Sequence, residues 1–176
     1  ICGSAMIDIL SELYRCGLID GGGRFSPRFE TLRLREGEWG KEFVVAWADE
    51  TDVGEDITIT QRDVSELQLA KAATYTGCSI LMKRKNVKPA DIEDVYVAGA
   101  FGDKLSIESA LTIGLIPDVP LERVKFVGNT ALTGAELVLK SRGMRREAEE
   151  ISRSARFLEF AADPDFNQEF ASALFI

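Results

Sequence analysis

Apolar positions along the chain switch repeatedly between helical and strand spacing. From Cys2 to Gly17, the residues Ile7, Leu10, Leu13 and Tyr14 fall three and four apart, the stripe of a helix packed on a core. Ser4 reads as its N-cap and Gly17 as its stop. The next stretch, LIDGGGRFSPRFETLRLREGEWG, is rich in glycine and alternates only weakly around Leu32 and Leu34, which predicts loop with short strands. Glu42–Ala48 and Ile57–Thr60 are β-branched runs separated by the turn-forming DETDVGED, a hairpin pattern. Thr60 followed by Asp63 gives a capping box with Asp in place of Glu. A long helix then runs to Asn86, with Val64, Leu67, Leu69, Ala70, Ala73, Ile80 and Leu81 as its expected core positions.

In the second half, short buried strands at Val95–Val97 and from Val124 each end in glycine before a helix opens. Ser106 opens the first of these helices, and the second spans Thr130 to Arg142. A charged helix (MRREAEEISRSA), a strand-like RFLEFA and a helix with Pro164 in its first turn complete the chain. Strands joined by helical crossovers argue for a parallel sheet covered by helices, hence an α/β class. Gly99, Gly102, Gly128 and Asn129 then fall at the carboxyl edge of those strands. Open α/β sheets bind ligands at that edge, because backbone amides and helix N-termini face an anion there. A glycine also lets the backbone approach a ligand without a side chain in the way. AGAFG is neither a Walker loop nor GxGxxG, and two tight turns packing strand against helix produce the same spacing, so spacing alone leaves both readings open.

Composition narrows the chemistry. The 176 residues, 45% apolar, suit one compact domain or two small lobes. A net charge of −8 without a basic block argues against nucleic acid, and no apolar run is long enough to span a membrane. The chain has no signal-peptide pattern and does not begin with methionine, so a preceding N-terminal portion is expected. Cys2, Cys16 and Cys78 lack the paired spacing of zinc or iron-sulfur sites and read as reduced thiols of a cytoplasmic protein. The absence of histidine excludes Ser-His and Cys-His nucleophilic machinery and histidine metal ligation. The acidic runs DETDVGED and EAEE read as solvated surface.

Five segments carry a resemblance: CGSAMIDILSEL, ITITQRDVSELQLAKAA, DVYVAGAFG, IGLIPDVPLERVKFVGNTALTGAELVL and FLEFAADPDFNQEFASALF. In this order they resemble the C-terminal part of the ATP-dependent reductive activators of corrinoid proteins, members of the acetate and sugar kinase, heat-shock chaperone and actin superfamily. The resemblance implies an actin-like ATPase (ribonuclease H-like) subdomain, a mixed sheet with a parallel portion and helices on its faces. It implies that residues 1–176 are the C-terminal nucleotide-binding subdomain of a larger protein. The N-terminal [2Fe-2S] domain, the first ATPase subdomain, the cluster cysteines and the Mg2+ ligands would then all lie before Ile1. The implied function is ATP-dependent transfer of a low-potential electron to Co(II) corrinoid on a partner protein, restoring Co(I). ATP and Mg2+ are the implied cofactors of the complete protein, a corrinoid protein the partner, and a homodimer an open possibility. No catalytic residue and no metal ligand is assigned within the segment.

Carried over by residue, Gly99, Ala100, Phe101 and Gly102 match the superfamily's adenosine motif, with Phe101 either stacking on the base or filling the core. Gln68 and Lys71 match the helix that lines the nucleoside, the alternative being a solvated helix face. Gly3 and Ser4 would turn helix N-terminal amides toward a phosphate or ribose oxygen, the alternative being a plain N-cap. Gly128, Asn129 and Gly134 match a hinge between lobes, and small residues at Ala131 and Ala135 would permit the same close approach in static packing. Two other functions stay open: a docking or dimerisation lobe with no nucleotide role, and an activator ATPase of an acyl-CoA dehydratase. The latter would need [4Fe-4S] cysteines that this segment does not space suitably.

Overall fold

The computed structural model describes residues 1–29, 31–99 and 104–176. Helix α1 (Gly3–Arg15) buries Ser4, Leu10, Ser11 and Leu13. Its N-cap is Cys2, in extended conformation and without a side-chain cap, so Ser4 sits in the first turn rather than capping it. Gly17, at φ +73, ends the helix as expected, and its N–H donates to the Tyr14 carbonyl at 2.9 Å. The chain then reverses through Asp20–Gly23. Asp20 Oδ1 accepts from the N–H groups of Gly22 and Arg24, both at 2.9 Å, which brings Ile19 and Phe25 together as a buried bridge.

Three antiparallel strands follow, β1 (Leu34–Gly37), β2 (Gly40–Ala46) and β3 (Ile57–Thr60), in the order β1-β2-β3. The predicted hairpin is present, with Phe43 opposite Ile59. The Thr60–Asp63 box forms in both directions: Asp63 N donates to Thr60 Oγ1 at 3.1 Å, and Thr60 N to Asp63 Oδ2 at 2.8 Å. Helix α2 (Gln61–Lys85) closes on Asn86 in the left-handed conformation, φ 53.

A short parallel pair, β4 (Val95–Val97) and β5 (Val124–Phe126), forms a second sheet, with Val95 opposite Val124 and Val97 opposite Phe126. Helix α3 (Ile107–Thr112) lies between them in sequence, and Ser106 caps it, accepting from Ser109 N at 3.1 Å. Helices α4 (Thr130–Lys140), α5 (Arg142–Ser154) and α6 (Phe166–Ala173) follow. Ser141 Oγ caps α5 and breaks it from α4. RFLEFA is not a strand among the described residues: Phe160–Ala162 turns as a 3₁₀ helix that delivers Asp163 to Arg84. Pro164 precedes α6, whose N-cap is Asp165.

The core joins α1 to the antiparallel sheet and α2 through Leu10, Leu13, Ile19, Phe25, Ile59 and Val64, with Ile113 added from beyond α3. Each such side chain contributes roughly 1.5–3 kcal/mol on burial. The buried face of α2 differs from the one its apolar pattern suggests. Leu69 and Leu81 are exposed, while Gln68, Lys71 and Thr76 are buried beside Val64, Ala72 and Ile80. For Gln68 and Lys71 the reason is that α6 packs on this face and the Leu174 and Phe175 carbonyls just past it need donors, whereas Thr76 Oγ1 has no hydrogen-bond partner among the described residues.

Candidate nucleotide-facing edge and the tail anchor

The residues nominated from sequence fall into three places. The first is the carboxyl edge of the parallel pair. Gly99 N donates to the Gly128 carbonyl at 2.9 Å, and Val127 N to the Val97 carbonyl at 3.1 Å, so the two glycine turns are tied side by side. Gly99 has φ +125 and Gly128 φ +70, conformations that disfavour any side chain. A Cβ added at either would meet nothing within 4 Å among the described residues. Asn129 Oδ1 accepts from Leu132 N at 3.1 Å and so caps α4. Ala100, Phe101 and Gly102 lie outside the described residues.

Around this edge the surface is apolar. Tyr96, Phe126 and Val127 are exposed, and α4 buries none of its residues, with Leu132, Leu137 and Leu139 open to solvent. On the same pair of strands Lys125 Nζ lies 2.6 Å from Asp94 Oδ1, and the Tyr96 hydroxyl donates to Asp94 Oδ2 at 2.9 Å. The Lys125 ammonium, and after it the Tyr96 hydroxyl, holds the Asp94 carboxyl below its usual value; Asp94 in turn raises Tyr96. No sequence motif marks this trio, since register alone sets Tyr96 opposite Lys125.

The second place is the buried face of α2. Gln68 Nε2 donates to the Leu174 carbonyl at 2.9 Å, and Lys71 Nζ donates to the Phe175 carbonyl. Both carbonyls lie just past the end of α6, where unsatisfied oxygens and the negative end of the helix dipole favour donors and cations. Burial pushes the Lys71 ammonium down to about 8, while the Phe175 carbonyl works in the opposite direction. Further along α2, Glu169 accepts from Ser79 Oγ and, at 2.6 Å, from Lys83 Nζ, and Arg84 holds Asp163 through two bonds of 2.8 and 2.6 Å. The solvated-face alternative for Gln68 and Lys71 is not what forms: both are buried, and each donates to a carbonyl of the chain's own tail.

The third place is the start of α1. Gly3 is exposed with open space around it, and Ser4 is buried with its Oγ 3.4 Å from Cys2 Sγ. That contact, with the Ala5 backbone after it, lowers the Cys2 thiol from its ordinary value. Cys2 and Cys16 are exposed and Cys78 is half-buried, all three as free thiols. Among the described residues no group of three or more Cys, Asp or Glu side chains is arranged to hold a metal ion.

The sequence also hides the anchor of the Asp20–Gly23 turn. Gln61 clamps it, donating to the Gly23 carbonyl at 2.7 Å and accepting from Phe25 N at 3.2 Å. Ile176 N donates to the Gly21 carbonyl at 2.9 Å, so loop, α2 and tail meet at one point.

Comparison with known proteins gives a consistent picture. The family described as "C-terminal domain of RACo the ASKHA domain" matches residues 1–176. The chain is 38% identical over 173 residues to the corrinoid activation enzyme RamQ of Eubacterium limosum, covering 94% of this chain and 29% of that protein. It is 30% identical over 117 residues to a [Co(II) methylated amine-specific corrinoid protein] reductase of Methanosarcina barkeri, covering 65% of this chain and 22% of that one. A solved structure of a reductive activator for a corrinoid, iron-sulfur protein superposes with a TM-score of 0.93 at 42% identity, over 100% of this chain and 28% of the other. The chain therefore spans less than a third of the length of these relatives.

Proposed function

Since the chain belongs to the family of RACo C-terminal ASKHA domains, we propose that it is the nucleotide-binding lobe of a longer, ATP-dependent reductive activator. That activator returns Co(II) corrinoid on a partner protein to Co(I). Relatives named as corrinoid activators and reductases support the partner and the direction of electron flow. The observation that supports the nucleotide role is the pairing of two positive-φ glycine turns, Gly99 and Gly128, at one strand edge, where no described residue stands within 4 Å of an added Cβ.

ATP supplies the free energy for an uphill one-electron transfer. The residues of this lobe do three things. Gly99, with Ala100, Phe101 and Gly102 after it, forms the rim on which the nucleoside rests. Gly3 and Ser4 offer the N-terminal amides of α1 to an anionic or ribose oxygen. Gly128, Asn129 and Gly134 let α4 shift against a second lobe as the cleft closes. Gln68 and Lys71 fix the tail to α2 with one donor each and keep further donors for a ribose or base at the nucleoside side of the helix. Mg2+ and the [2Fe-2S] cluster are held by parts of the polypeptide outside residues 1–176.

The test is calorimetric titration of ATP into a polypeptide of the relatives' length that contains this segment, paired with optical detection of Co(II) corrinoid loss. Saturable binding and ATP-dependent reduction are expected, and both should fall at least about tenfold in Gly99→Val and Gly128→Val. Undiminished ATP affinity in both variants, with the helical circular dichroism preserved, would refute the reading.

A further inference from the structure

A cavity of about 400 Å³ lies between α2, α6 and the segment that follows α3. Leu111, Ile116 and Phe175 give it apolar walls, and its charged groups are Lys71, Glu169 and Asp118. These charges are not equally matched. Glu169 accepts from Ser79 Oγ and Lys83 Nζ, so its charge is answered within the fold. Asp118 is exposed, where water screens it.

Lys71 has no such answer. It is buried, it forms no ion pair among the described residues, and the one partner of its ammonium there is the uncharged Phe175 carbonyl. An ammonium carries three donors, so two stay unbonded to described protein atoms beside the cavity that Lys71 lines. A buried cation without a counter-charge is costly to keep, and burial is the one cause that moves this ammonium from its ordinary value. Gly114 leaves the approach to it clear. At φ +68, it stands where an added Cβ would lie 3.6 Å from Lys71 Nζ.

We propose that this cavity binds a small monocarboxylate with an apolar tail, its carboxylate on the Lys71 ammonium and its tail against Leu111, Ile116 and Phe175. The lining selects that chemistry. An uncharged or cationic ligand would leave Lys71 uncompensated and buried deeper. A phosphate or dicarboxylate would bring its extra negative charge against Glu169 and Asp118, which share the wall. Apolar walls around a few placed polar groups are the ordinary make-up of a small-molecule site. The inference goes beyond the nucleotide reading: no residue of the glycine edge lines this cavity, and Lys71 has a free donor for each ligand.

The test uses a polypeptide of the relatives' length that contains this segment. Butyrate is the probe, with butyramide, butylammonium and inorganic phosphate as its neutral, cationic and multiply charged counterparts. Ligand-observed NMR gives the affinities, and amide exchange over Phe160–Ile176 reports on the tail that forms one side of the cavity. Butyrate should bind saturably and slow exchange in the tail, and each counterpart should bind at least about tenfold more weakly. Lys71→Met should remove the saturable binding. Asp118→Asn, at an exposed position that leaves the fold in place, should tighten butyrate roughly two- to fivefold. Equal affinity for any counterpart overturns the proposal, as do undiminished binding in Lys71→Met, weaker binding in Asp118→Asn and the absence of saturable butyrate binding. Saturating ATP should leave the butyrate affinity unchanged, and displacement by ATP would give the ammonium to the nucleotide and overturn the proposal. Butyrate binding in a protein that does not bind ATP would uphold this inference and refute the nucleotide reading alone.

Discussion

Lys71 shows how one side chain can be conspicuous in sequence for one reason and placed in the structure for another. Its residue is 1% exposed, and its ammonium sits at the carbonyl end of α6 rather than in an open cleft. Because burial lowers the folded value to about 8 from 10.5, the unfolded chain holds this proton over a range where the folded chain has lost it. The contribution is therefore unfavourable below about 8 and disappears as the pH rises toward 10.5. Urea unfolding at pH 7.5 and pH 10 should show stability gained with pH at this site, and the gain should be absent in Lys71→Met. A second residue-scale expectation concerns Gly23, at φ +75, where an added Cβ would lie 2.3 Å from Gln68 Oε1. Gln68 is held by Leu174 and cannot move aside without breaking that bond. Gly23→Ala should cost roughly 1–3 kcal/mol in denaturant unfolding.

At the scale of elements, the C-terminal segment is the clearest unit. Five residues of α2, spaced from Gln68 to Arg84, hold it down along the length of the helix. Arg84 holds Asp163, and Lys83 with Ser79 holds Glu169, below their ordinary values of 3.8 and 4.5. The sign follows from the depressed folded values: this stabilisation is complete above about 4.5 and is lost as acid protonates the two carboxylates below it. Limited proteolysis or amide exchange should show Phe160–Ile176 loosening first on acidification, ahead of the α1 and β-sheet core. Arg84→Met should bring the same loosening to neutral pH, because it leaves the Asp163 carboxylate, 4% exposed, without its cation.

At the scale of the whole molecule, the two sheets have unequal surroundings. The antiparallel sheet carries the core, whereas the parallel pair and α4 present Tyr96, Phe126, Leu132 and Leu137 to solvent. Parallel strands are ordinarily covered on both faces, and among the described residues these are not. Gly134 separates static from functional packing. A Cβ there meets nothing within 4 Å among the described residues, so Gly134→Ala should stabilise the isolated chain by roughly 0.5–1 kcal/mol through helix propensity. In the longer protein the same change should slow ATP-dependent corrinoid reduction if α4 approaches a second lobe closely. Unchanged turnover would assign Gly134 to α4 alone.

Local chemistry made much of this architecture legible in advance. The Thr60–Asp63 box, the Ser106 cap, the hairpin, the two strand-glycine-helix switches and the end of the long helix at Asn86 depend on side chains and backbones a few residues apart, and such interactions are written directly in sequence. The five quoted segments carried the family in the same way. Three things were decided only by the tertiary structure. The buried face of α2 took in Gln68 and Lys71 while Leu69 and Leu81 stayed exposed, because the Leu174 and Phe175 carbonyls just past α6, about a hundred residues away, needed donors. RFLEFA, strand-like in its alternation, had no neighbouring strand to pair with and became a turn that seats Asp163 on Arg84. The apolar groove over Leu13, Phe43 and Val45 exists only because α1 crosses the sheet where it does. Periodicity records which side chains avoid water, but not which distant backbone groups will arrive needing a partner.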